Sequence, residues 1–146
     1  MTRIGLRVVA LSFALAAPFV AHAAQNPFDG KWEAGFTVNS WRCTANLVMG
    51  PGQRYSELIK CRPPVGDTQT TWQSGTYVLS KDGLIVRNVI DWEPKQRFVL
   101  DSGYSGHWEP NAKPPGGSYR VNFTSPNMMV WRDVKFGGAL TYRRLQ

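Results

Sequence analysis

Apolar and polar side chains alternate with a period of two along most of this chain, and no stretch keeps a helical period. In "GKWEAGFTV", Trp32, Ala34, Phe36 and Val38 share one face, with Lys31, Glu33 and Thr37 on the other. "WRCTANLVM" repeats the pattern through Trp41, Cys43, Ala45, Leu47 and Met49, and "RYSELIKC" places Tyr55, Ile59 and Cys61 together. "TWQSGTYVLS" and "LIVRNVIDW" flank "KDG", whose Asp-Gly is a strong hairpin turn. "QRFVL", "SYRVNFT", "NMMVWRDV" and "ALTYRRL" complete a series of about nine short strands separated by Gly and Pro. Such spacing predicts an all-β meander of antiparallel strands, a sandwich or a barrel. A single up-and-down barrel of about eight or nine strands is favoured, because closure removes exposed strand edges.

Two cysteines set the register. If Cys43 faces Cys61, Ala45 pairs with Ile59, Met49 pairs with Tyr55, and the turn centres on Gly52 within "GPGQR". Turn residues and alternation thus agree on one disulfide-linked hairpin. A crosslink over this distance contributes roughly 3 kcal/mol by restricting the unfolded chain. The same register sets Glu57 opposite Leu47, on the cysteine face. Either a bulge near Gln53 shifts the pairing, or Glu57 is a buried or mouth-lining carboxylate.

The N-terminus reads as an export signal. Arg3 and Arg7 precede the largely apolar Val8–Val20, and small residues in "AHA" mark cleavage near Ala23. The apolar run is short of the ~20 residues of a membrane span. The expected mature chain, Ala24–Gln146, is a single domain, periplasmic or secreted, where a cysteine pair is read as a disulfide. Losing Arg3 and Arg7 leaves 15 Lys and Arg against 10 Asp and Glu, a net charge of +5. These charges are scattered, unlike the basic run of a nucleic-acid arm.

Little catalytic chemistry is available. His107 is the only histidine left after cleavage and has no nucleophile motif beside it. One histidine and two paired cysteines are too few for a zinc site. Glu93 and Glu109 have the residue type of a glycosidase acid/base pair, but two glutamates are a weak signal. The reading is non-enzymatic, with no catalytic residue, metal or cofactor expected.

Trp-Glu-Pro occurs twice, at Trp92–Pro94 and Trp108–Pro110. Proline after each glutamate enforces extended geometry and denies a ladder donor, so each copy reads as a strand exit. Trp92 lies in phase with Leu84, Val86 and Ile90 and is expected as the last inward side chain of its strand. Trp108 falls in the long loop "DSGYSGHWEPNAKPPGG". The six tryptophans read mainly as core fillers. Those at a barrel mouth would wall a ligand site, here Trp92, Glu93, Tyr104, His107, Trp108 and Glu109.

"FDGKWEAGF" resembles the start of lipocalin-like (calycin) barrels, with Gly-x-Trp at Gly30 and Trp32. The resemblance implies a barrel end closed by Trp32 against a basic residue near the last strand, Arg143 or Arg144. The tryptophan load and the long rim loop lead to the expectation of a small apolar or aromatic ligand at the mouth. The chain is similar, too, to periplasmic inhibitors of secreted metalloproteases, through Trp32 and Cys43. That resemblance implies an exported protein partner engaged by Ala24–Phe28. The close spacing of Cys61 after Cys43 departs from it.

Overall fold

The alternating segments all become strands. In the computed structural model, which describes residues 26–101 and 105–146, they are β1 (Gly30–Val38), β2 (Trp41–Gly50), β3 (Arg54–Arg62), β4 (Gln69–Leu79), β5 (Leu84–Glu93), β6 (Gln96–Leu100), β7 (Gly106–Pro110), β8 (Ser118–Ser125), β9 (Met128–Asp133) and β10 (Ala139–Arg144). The expected export signal and Tyr104 lie outside the described residues. Eight strands close into a barrel in the order β1-β10-β9-β8-β5-β4-β3-β2, each antiparallel to its neighbours. The fold is therefore an all-β, up-and-down antiparallel barrel, with no helix among the described residues.

The β2–β3 hairpin has the register that the cysteines set. Cys43 pairs with Cys61 and is bonded to it, Ala45 pairs with Ile59, and Met49 pairs with Tyr55. No bulge shifts the ladder, so Leu47 stands opposite Glu57, and Glu57 is buried. The turn needs positive φ at Gly52 and Gln53.

Two expectations are corrected. The segment read as one long loop contains a strand: β7 pairs with β6 in a separate two-stranded sheet, matching Arg97 with Glu109, Phe98 with Trp108, and Val99 with His107. Cross-strand charge and aromatic pairs hold a hairpin where Gly and Pro density signalled a loop. The phase of β5 also differs. Ile85, Arg87 and Val89 are the buried residues, while Leu84 and Val86 are only half-buried and Ile90 is exposed. A bulge then intervenes, since Ser74 pairs with Asp91 but Gly75 pairs with Val89. The extra residue reverses the phase and sets Trp92 opposite Gln73 at the rim. A Cβ on Gly75 would meet the Asn88 carbonyl oxygen at 1.9 Å, so only glycine fits this bulge.

Beside β8 the barrel wall is thin. Only Leu84–Val86 of β5 pairs with β8. The returning segment then runs alongside, and the Arg87 amide donates to the Gly117 carbonyl at 2.8 Å.

Candidate functional site

One barrel end is plugged. Trp32 is fully buried and donates its indole N–H to the Phe28 carbonyl at 2.8 Å. Phe28 packs on Phe123 with ring centroids 5.1 Å apart, and Asn26 donates to the Tyr77 hydroxyl at 2.9 Å. Of the two C-terminal arginines, Arg144 lies over the Trp32 ring at 4.1 Å and bonds the carbonyls of Asp29 and Pro27. Arg143 points outward, 4.0 Å from Glu33. Gly30 is required here, with φ of 137° and Arg144 Nη1 only 2.6 Å from where a Cβ would sit.

Above this plug the interior turns polar. Glu57 of β3 is 4% exposed and Arg87 of β5 is 6% exposed, and they form an ion pair with Nη1 2.9 Å from Oε2. Gln73 of β4 donates to the same oxygen at 2.9 Å, and the Tyr142 hydroxyl of β10 donates to Oε1 at 2.7 Å. The guanidinium sits among the rings of Trp131, Tyr55 and Tyr119, at 4.5, 4.7 and 5.2 Å from their centroids. Burial pushes the Glu57 carboxyl up, but Arg87 and the hydrogen bonds from Tyr142, Arg87 and Gln73 outweigh it and hold the carboxyl below its ordinary value. Burial works against the Arg87 charge as well, and Glu57 overrides it. Both groups are ionised at neutral pH. The Tyr142 phenol, buried against the Glu57 carboxylate, is pushed far up and stays protonated.

The other barrel end opens into a cup of about 490 Å³, within the size range of small-molecule sites. Its wall includes Phe36, Ile59, Leu140, Tyr119 and Trp131, and its floor is Glu57, Gln73, Arg87 and Tyr142. A side hollow of about 240 Å³ shares Glu57, Ile59 and Gln73, and extends to Trp92, Glu93 and Asn111. An apolar wall over a few fixed polar groups can hold a small molecule and orient it. Among the described residues, no three of His, Cys, Asp and Glu come together as metal ligands. No family model matches the chain, and no curated protein matches it in sequence.

The residues singled out from sequence divide between two places. Trp92 and Glu93 line the side hollow at the rim. His107, Trp108 and Glu109 lie on the β6–β7 hairpin and do not line the cup. Trp108 is 65% exposed and packs edge-on against Phe98 at 5.4 Å. His107 Nδ1 is 3.0 Å from Asp101, and Arg97 Nε donates to Glu109 at 2.6 Å. Tyr104 is outside the described residues. The hairpin is tied to the rim at its root. Asn111 accepts from the Trp92 indole at 3.3 Å and donates to the carbonyls of Lys95 and Pro94, at 2.8 and 2.9 Å. Lys95 Nζ sits 3.7 Å from the Trp92 ring centroid.

Arg87 was missed from sequence. Its signal was available: a carboxylate on the cysteine face requires a cation, and the Asp-Gly turn brings Arg87 opposite inward-facing Tyr77.

Proposed function

We propose that the protein is an exported, non-enzymatic binding barrel that holds a small, largely flat apolar or aromatic molecule in the cup above Glu57 and Arg87. The observation that carries this reading is a barrel plugged at one end and open at the other, with aromatic walls over a fixed polar floor. The lipocalin-like reading is supported by the Gly30-x-Trp32 start and by Arg144 over Trp32. The disulfide favours an oxidising compartment, periplasmic or extracellular. An inhibitor acting through its N-terminus has less support, because Asn26 and Phe28 are engaged in the plug.

Native mass spectrometry of protein purified from its own host, before and after organic extraction, is expected to reveal a small bound mass lost on extraction. Leu140→Trp, which fills the cup from its wall, should abolish rebinding while leaving the folded circular dichroism spectrum intact. Undiminished rebinding to this variant would place the ligand elsewhere.

A further inference from the structure

The Arg87 guanidinium is incompletely used. Only Nη1 is bonded, to Glu57, and neither Nε nor Nη2 has a partner among the described residues. The Tyr55 hydroxyl, whose ring lies 4.7 Å from the guanidinium carbon, is also buried without a partner. Buried donors are nearly always satisfied, and an unmet one is costly. Two of these groups belong to Arg87, a residue of the cup floor, and call for an acceptor supplied by the occupant.

The charge of that acceptor follows from the wall. The charged groups lining the cup are Glu57, Asp133 and Arg87, a net charge of −1. Glu57 already neutralises Arg87 at 2.9 Å. Asp133 is held by the amides of Lys135 and Phe136 at 2.7 and 2.8 Å. An anion at the buried Arg87 would enter a site that is already net negative. A cation would offer no acceptor to the unmet donors. An uncharged oxygen satisfies them without adding charge.

We infer that the ligand presents an uncharged carbonyl-type oxygen on a flat apolar body, and that Arg87 is the specificity residue that holds this oxygen. The inference rests on the cup being the ligand site.

The test uses a matched pair of probes, naphthamide and naphthoate, titrated calorimetrically into the delipidated protein at neutral pH. The shapes are nearly equal, and only naphthoate carries a charge. Naphthamide is expected to bind at least about tenfold tighter. Glu57→Gln, which leaves Arg87 uncompensated, should move the ratio at least about tenfold toward naphthoate. Arg87→Lys retains the charge facing Glu57 but removes the planar fork, and it should lose the naphthamide preference. Equal binding, or a preference for naphthoate, overturns the inference while leaving the cup a ligand site. An unchanged preference in folded Arg87→Lys also overturns it, as does a co-purified ligand with no uncharged acceptor. Binding of neither probe overturns it too, and an additional absence of any extractable mass removes the cup reading with it.

Discussion

Glu57 stays ionised inside the barrel because three side chains donate to it. A buried ion pair often contributes no more than well-packed apolar residues of the same volume, whereas removing one partner strands the other's charge. Glu57→Leu is therefore expected to destabilise the fold by about 3–5 kcal/mol, measured by denaturant unfolding. The paired Glu57→Leu/Arg87→Met variant should recover most of that loss. If it unfolds as readily as the single variant, the pair is structurally indispensable, which weakens the case for a ligand-directed polar floor. The pair also sets an acid limit. The folded Glu57 carboxyl is depressed, so its contribution is fully present above the unfolded value of about 4.3 and is lost as pH falls through the lower folded value. The stability difference between wild type and Glu57→Gln should accordingly be constant near neutrality and shrink in acid. A difference that instead grows on acidification would contradict a depressed carboxyl.

Single elements show where sequence was informative and where it was ambiguous. The β2–β3 hairpin was legible to the residue, because a covalent pair, a turn and an alternation constrain the same register. The strand β5 was not. "LIVRNVIDW" has apolar side chains on both faces, and a charged residue at position 87 made the wrong phase look better. Alternation identifies the inward face only when one face is clearly polar. Arg87 inverted that signal because its partner comes from β3, thirty residues earlier. The bulge hid the rest, since a single inserted residue lets Trp92 face inward without sharing the phase of Ile85, Arg87 and Val89. Its only sequence mark is Gly75. Gly75→Ala forces Cβ against the Asn88 carbonyl, and should cost more than about 1 kcal/mol in denaturant unfolding. It should also move the Trp92 indole resonance in an amide-correlation spectrum. A silent substitution would mean that the bulge does not depend on glycine.

For the whole molecule, the question is which structure forms the mouth. The repeated Trp-Glu-Pro suggested a site walled by Trp92 and Trp108, whereas the barrel places a cup among Phe36, Ile59, Leu140, Tyr119 and Trp131. One copy is at the rim and the other is on a hairpin whose root is fixed there by Asn111. A two-stranded hairpin alone is marginal in water, so β6 and β7 depend on that root, while the barrel has no matching dependence on them. Because the Asn111 amide already bonds the Lys95 carbonyl at 2.8 Å, a short Gly-Ser turn can replace Gln96–Pro110 without opening the barrel. This replacement is expected to change unfolding free energy by less than about 1 kcal/mol, since exchanging one surface loop for a shorter one alters closure entropy only slightly. Naphthamide affinity should stay within about twofold, well under the 1.4 kcal/mol that a tenfold change represents. Lost binding in a variant of unchanged stability would return the site to His107, Trp108 and Glu109 on the hairpin, and would show the second Trp-Glu-Pro to be a lid over the first. Retained binding fixes the site in the barrel interior, where selectivity depends on the donors that Arg87 leaves free.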